Sequence, residues 1–390
     1  MPFHHGVEVV EAASGTRPIR TVSTAVIGFV ATAADADAAA FPLNTPVLVT
    51  DINDAISKAG TDGTLRNTLV AIRDQVRTIV HVVRVEAGAD SAGTDANVIG
   101  SADGDSRTGL QALLDCENLL GTRPRILGAP GLDTQAVTTA MVTVAQKLNA
   151  FAYAGAENAG TGTADAIGYR ANFEARELML IWPAVQAVDA EGAPHPVSAA
   201  AYALGLRARI DQEIGWHRSI SNNAINGIVG TAHPVSFDMQ SNATDAGILN
   251  AADVSTVIRN NGFRIWGNRT CAGEAAPFYV FETAVRSAQV LRDTIAEGLT
   301  WAIDKPLRPG LVKDIVSTIN QKIGLMVANG YLIGGRAWYD PDKNPSASLA
   351  EGKLVIDYDF TPVPPLEGLR LNQTITDSYF ASFDQVAAAA

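Results

Sequence analysis

Apolar residues in the first half of the chain alternate between two periods. Leu65, Leu69, Ile72 and Val76 fall at helical spacing, with Arg66, Arg73 and Arg77 on other faces. A β-branched run, residues 78–85, follows as a strand. A helix near 107–120 then precedes a short strand at 125–128. Asp133 or Thr134 caps a helix whose apolar face is Val137, Met141, Val144 and Leu148. Strand 151–154, a helix over 163–176 and strand 178–182 complete the alternation. Strands joined by helices of this length require right-handed crossovers and a mostly parallel, helix-covered α/β sheet. Residues 89–106, small and polar, read as a linker or exposed loop.

Beyond residue 197 the rhythm changes. Residues 198–213 form a helix, followed by a long stretch rich in Asn, Ser and Gly at 216–231. Residues 257–265 carry a hairpin signal, with Asn261-Gly262 suited to the positive φ angles of a type I′ turn. Long helices are expected near 282–303 and 309–328, the second with Pro309 in its first turn and Gly330 past its end. Strands at 331–338 and 353–360 close a C-terminal α+β unit.

Both chain ends are set off by proline. Residues 3–11, with Val7 and Val9, have short strand character, and Arg17-Pro18 separates them from the body. Thr361-Pro-Val-Pro-Pro-Leu366 is a stiff extended connector. After it, Leu369, Leu371 and Ile375 share one side of a strand pattern. A lone strand is unstable in water and needs an edge to pair with. These ends either fold back on their own domain or add as strands to neighbouring molecules. The pattern thus divides the chain into an N-terminal extended arm (1–22), a first α/β segment (23–100), a central α/β domain (101–256), a C-terminal α+β domain (257–366) and a C-terminal arm (367–390).

The 390 residues suffice for two or three domains with separate cores, and 47% hydrophobic with 18% charged residues are globular values. A net charge of −12 argues against nucleic-acid binding, which needs a basic surface. Cys116 and Cys271 make no disulfide framework and suit packed thiols in a reducing cytoplasm. Residues 1–11 lack a basic segment followed by an apolar run, and no uninterrupted apolar stretch is long enough to span a bilayer, so no membrane insertion is expected.

The chemical motifs are sparse. There is no phosphate-binding loop, Gly160-Thr-Gly162 lacks the third glycine of a dinucleotide fingerprint, and neither cysteine belongs to a zinc pair. No nucleophile elbow occurs, and the six histidines are dispersed. Asp357 and Asp359 lie on one face of a strand, either as a solvated face or sharing a cation. No catalytic, cofactor or metal residue is assigned.

Several segments, in order along nearly the whole chain, resemble the tail sheath proteins of smaller contractile phages and R-type pyocin-like particles. Among them are Gly15-Thr-Arg-Pro-Ile-Arg20, Phe41-Pro-Leu-Asn-Thr-Pro46, Arg125-Ile-Leu-Gly-Ala-Pro-Gly-Leu-Asp133, Arg176-Glu-Leu-Met-Leu-Ile-Trp-Pro183, Trp301-Ala-Ile-Asp-Lys-Pro306 and Ile356-Asp-Tyr-Asp-Phe-Thr-Pro-Val-Pro-Pro-Leu366. The resemblance implies a non-enzymatic subunit of a helical homo-oligomer. Its six-fold rings would stack around a tail tube, grow from a baseplate, end at a tail terminator and contract to drive the tube through a bacterial envelope. It places the protein in the virion tail, assembled in the host cytoplasm. It also implies that Val7, Val9, Leu369, Leu371 and Ile375 link subunits by strand exchange, and that residues 257–366 form the inner, tube-facing unit. There Lys305, Arg308, Lys313 and Lys322 are candidates to meet an acidic tube surface, or else belong to an ordinary amphipathic helix. A soluble α/β hydrolase or transferase with an unrecognised site, and a tube or capsid protein, are the alternative readings.

Overall fold

A computed structural model describes residues 19–104, 106–189, 192–273 and 276–380. Val7 and Val9 lie outside them. In chain order the first elements are β1 (Ile27–Thr32), β2 (Pro46–Val49), α1 (Ile52–Lys58), α2 (Leu65–Gln75), β3 (Val80–Val85) and α3 (Ser91–Ile99). A small hairpin of β4 (Ala102–Asp103) and β5 (Ser106–Arg107) leads to α4 (Gly109–Ala112) and α5 (Cys116–Leu120). The crossover units continue with β6 (Ile126–Gly128), α6 (Gln135–Leu148), β7 (Phe151–Gly155), α7 (Thr163–Arg170) and β8 (Leu178–Ile181). Next come β9 (Val185–Val188), β10 (Pro194–Val197), α8 (Ala199–Glu213), β11 (Ile228–Thr231), α9 (Asp245–Ala251), β12 (Val254–Arg259) and β13 (Phe263–Trp266). The chain ends with α10 (Glu282–Gly298), α11 (Pro309–Ala328), β14 (Leu332–Tyr339), α12 (Ser346–Ala350) and β15 (Ile356–Pro362).

One eight-stranded sheet runs β13-β12-β8-β7-β6-β1-β3-β2. Its interior pairs are parallel, and only β2 and β13, at the two edges, run antiparallel to their neighbours. Both faces are covered, so the inner strands are buried along their whole length. Helices α2 and α8 lie on one side and α4 and α6 on the other. Helix α8 is alanine-rich and almost wholly buried. At Gly205 a Cβ would stand 2.9 Å from Ile72 Cα, so glycine lets α8 and α2 close together.

The hairpin assigned from sequence to the C-terminal unit belongs instead to this sheet. Strand β12 pairs with β8, and Asn261 (φ 49°) and Gly262 (φ 95°) make the turn to β13. Residues 89–106, expected to be a loop, contain α3. Asp90 caps it through Gly93 N at 2.7 Å, Val98 is buried, and the small residues let the helix lie against Gly88. Helix α7 stops at Arg170, six residues before the expected end, where Asn172 Nδ2 donates to Tyr169 O at 3.0 Å. Helix α10 likewise stops at Gly298, followed by a 3-10 turn.

The C-terminal unit has its own core. Leu291 and Ile295 of α10, Ile315, Ile319 and Ile323 of α11, and Leu332 of β14 pack together, with Val22 and Trp216 joining from the rest of the chain. Helix α10 faces two ways. Its polar side meets the large sheet, where Glu282 and Arg286 join Arg207 and Asp211 of α8 in a fully buried group of two cations and two carboxylates. Arg207 lies 2.8 Å from Asp211 and 3.0 Å from Glu282, and it donates to Arg218 O at 2.7 Å. Tyr153 of β7 donates to Glu282. Further along α10, Gln289 Nε2 donates to Ala150 O at 2.8 Å, and Arg125 pairs with Asp293.

Removing one member of such a group leaves a buried charge without its partner. Arg207→Met is expected to lower the unfolding free energy by about 3–5 kcal/mol, measured by urea unfolding of the monomeric subunit. A loss below about 1 kcal/mol would mean that the cluster does not hold α10 to the sheet.

Candidate functional site

In open α/β sheets, ligands bind beyond the carboxyl ends of the parallel strands. Here those ends carry Asp133 after β6 and Glu157 after β7. Asp133 is fully buried and its Oδ2 accepts from Gly155 N at 3.0 Å. Glu157 Oε1 accepts from Ser198 Oγ at 2.9 Å and from Ala199 N at 3.1 Å, at the start of α8. Burial holds both carboxyl groups above the ordinary range, and for Asp133 the neighbouring Glu157 adds to the effect. Asp133 ties the end of β6 to the end of β7, and Glu157 ties the end of β7 to the start of α8. Asp357 and Asp359 are each met by a separate cation, Lys343 at 2.7 Å and Arg336 at 3.5 Å.

The C-terminal arm is the more informative surface. Leaving β15, residues 363–377 form no strand with any of the described residues. Leu369, Leu371 and Ile375 are 72%, 81% and 95% exposed. Their apolar alternation, legible in the sequence, lacks only a partner. A bidentate ion pair ties the arm's root to the body: Arg269 Nε and Nη2 each donate to a Glu367 oxygen at 2.8 Å.

The N-terminal arm is rooted on the C-terminal unit. Ile19 lies against Gly298 at the end of α10, where a Cβ would stand 2.4 Å from Ile19 Cγ2. Lys322 Nζ donates to Ile19 O at 3.0 Å and to Thr21 Oγ1 at 2.8 Å. Lys322 is therefore buried, 8% exposed, and burial lowers its pKa. It is unavailable for an outer partner, which corrects its placement among the surface cations. Helical spacing explains the difference, since nine residues separate Lys313 from Lys322, two and a half turns, and put them on opposite sides of α11. Lys305, Arg308 and Lys313 are exposed. Lys305 stands over the Trp301 ring at 4.4 Å, and Arg308 and Lys313 rim an apolar groove that Val312, Val316, Tyr339 and Leu349 line.

Strands β14 and β15 form an antiparallel pair whose two outer edges differ. On β14, the Asn320 side chain of α11 takes both backbone groups of Ala337, accepting from its N–H at 2.7 Å and donating to its carbonyl at 2.9 Å. Ala337 stands opposite Tyr358, so this pair turns its backbone groups outward. The alternation then turns the N–H and C=O of Ile356, Tyr358 and Phe360 toward the outer edge of β15, which no strand among the described residues covers. Sequence reasoning missed this edge, because only the register decides which residues face outward. Asn320 stands among Thr318, Gln321 and Lys322, so nothing local marked it out.

Family models match most of the chain. The phage tail sheath protein central domain matches residues 105–271, the phage tail sheath C-terminal domain residues 274–376, and the tail sheath protein Gp18 domain III N-terminal region residues 24–85. The tail sheath protein of Escherichia phage P2 is 49% identical, covering 97% of each chain. The major tail sheath protein of Serratia phage KSP20 is 46% identical over 97% of this chain and 96% of its own. Among solved structures, the contracted sheath complex of an extracellular contractile injection system (PVC) superposes with a TM-score of 0.71 at 15% identity. It covers 97% of this chain and 99% of that one. The contracted helical sheath of the anti-feeding prophage gives 0.71 at 18%, covering 95% and 98%.

Two outcomes are expected from these environments. Since the folded pKa of Asp133 is raised, the stability linked to it is complete below the ordinary carboxylate range and is lost as pH rises toward the folded value. Asp133→Asn should therefore raise the melting temperature at neutral pH and flatten its decline with pH, read by calorimetry from pH 4 to 8. Lys322→Glu sets a carboxylate against the Ile19 carbonyl and should lower the monomer's melting temperature by several degrees, whereas Lys313→Glu should leave it nearly unchanged.

Proposed function

The chain belongs to the phage tail sheath family, and we propose that its copies are joined into a contractile tail sheath by C-terminal arms that add as strands to the free β15 edge of neighbouring subunits. As a tail sheath subunit it is a structural, self-associating protein of the virion tail. The strand-addition reading is carried by one observation: an apolar, alternating arm, exposed and without a strand partner among the described residues, is found in the same chain as an edge to which no described strand is added. Supply and demand of backbone hydrogen bonds match between copies, each bond contributing about 1 kcal/mol net. The N-terminal arm, with Val7 and Val9, is proposed to link copies in the same manner from its root on the C-terminal unit.

Contact that repeats head to tail without closing generates a helical polymer, here with six-fold rings. Contraction is proposed as a passage from a trapped extended lattice to one with better-packed bodies, driving the tube through the bacterial envelope. Lys305, Arg308 and Lys313, exposed at and before the start of α11, are the cations proposed to face an acidic tail tube. Exposed ion pairs are individually weak, so such a contact releases readily as the sheath widens. Growth from a baseplate to a tail terminator in the host cytoplasm belongs to the same reading.

Tyr358→Pro removes one outward N–H of β15 and leaves the ladder to β14 intact, whereas Tyr358→Ala keeps that donor. Purified Tyr358→Pro is expected to remain a folded monomer and to form at least about tenfold less polymer than Tyr358→Ala, because small losses per joint compound along a helix. Negative-stain microscopy and sedimentation read the outcome. Equal cylinder formation by the two variants would remove β15 as the acceptor.

A further inference from the structure

The connector between β15 and the arm does not hang free. Val363 to Glu367 help line a groove of about 480 Å³, against Ile214, His217, Trp266 and Asn268 of the sheet domain. Glu367 ends this contact on Arg269, just past edge strand β13, and beyond Gly368 the arm is exposed. Arg269 is itself held in place. Its Nη1 lies 3.5 Å from Asp253 Oδ1, and Asp253 Oδ2 is 3.0 Å from Arg170 Nη2. Arg170 is fixed in turn by donating to Phe173 O at 2.7 Å. The result is a line of alternating charge, Arg170–Asp253–Arg269–Glu367, running from a mostly buried end to an exposed one, with the Arg170 side chain 11% exposed and that of Glu367 40%.

We infer that the Arg269–Glu367 pair sets the direction in which the C-terminal arm leaves its own subunit, making Arg269 a positioning residue for the assembly of further copies of this chain. The inference rests on the reading that the arm pairs with a neighbour. A two-point fork between guanidinium and carboxylate fixes orientation as well as distance. With the fork closed, only residues beyond Gly368 sample space. With it open, freedom begins at the end of β15, and the effective concentration of Leu369–Ile375 at a neighbouring edge falls about twofold from length alone. Loss of direction lowers it further. The pair is exposed enough for salt to screen it, so the aim of the arm responds to ionic strength.

The test compares wild type with Arg269→Glu, Glu367→Arg and the double swap, by the initial rate of polymer formation in sedimentation and light scattering. Each single reversal puts like charges together and should slow assembly about threefold to tenfold, while the melting temperature of the monomer stays within a few degrees of wild type. The double swap sets a carboxylate against Asp253 while restoring the pair across the root, so it should recover part of the rate that each single reversal loses. Glu367→Gln should be slow and less salt-dependent than wild type between about 50 mM and 500 mM salt. Single reversals that assemble at the wild-type rate, or a swap that restores nothing, would overturn the inference. Tyr358→Pro in the same assay keeps the two readings apart: if it fails to assemble while the reversals assemble normally, strand addition stands and the positioning role falls. If it assembles normally too, strand addition falls with it.

Discussion

The subunit hinges on α10, a helix that two units share. Its apolar side is core for the C-terminal unit, and its polar side carries Glu282, Arg286 and Asp293 against α8 and the middle strands β7 and β6 of the large sheet. A group of two cations and two carboxylates is costly to desolvate, and its worth lies in specificity more than in net stability. Greasy surfaces slide against each other with little penalty for a shift. Interlocked charges do not, because any displacement leaves one of them buried without its partner. A part that must pass force from one unit to the other needs a joint of the second kind.

Two kinds of connection therefore coexist in one chain. Inside the subunit, contacts are buried, ion-paired and intolerant of displacement. At the roots of the arms they are few and local: Lys322 on Ile19 and Thr21 at one end, Arg269 on Glu367 at the other. The first root lies on the C-terminal unit and the second on the sheet domain beside the start of α10, so the arms leave from the two units that α10 joins. A lattice that rearranges without coming apart needs this division.

Much of this was legible in the sequence, and the physics explains where legibility stopped. Period-two and period-3.6 patterns report burial, so the parallel sheet, α6 with its Thr134 cap and the Asn261-Gly262 turn could be read from the chain. Helix α3 could not, because Ser, Gly, Thr and Asp have weak helix propensity and Val98 is its only buried residue. The hairpin of β12 and β13 followed a change in pattern and was assigned with the elements after it, although pairing with β8 is a long-range contact that no local pattern encodes. Lys322 was misplaced because a lysine near the end of an amphipathic helix usually lies in water, and only the returning chain at Ile19 gives it acceptors inside. Arg269 and Glu367 stand 98 positions apart, with no spacing to link them.

The composition of the connector explains why the arm does not satisfy its own sheet. To pair with β15, the chain would have to reverse within the two to five residues of a hairpin turn and present N–H groups to the edge. Pro362 ends β15 without an N–H, and Pro364-Pro365 hold the next residues extended. By the time the chain regains freedom at Gly368 it lies on the sheet domain beside Arg269. Closure within one molecule is thus blocked by stiffness and direction, even though the strand and the edge suit each other. On the proposed strand addition, two matching halves that cannot meet in one copy meet in the next, and the same block, repeated in every copy, would turn a folding problem into a polymer.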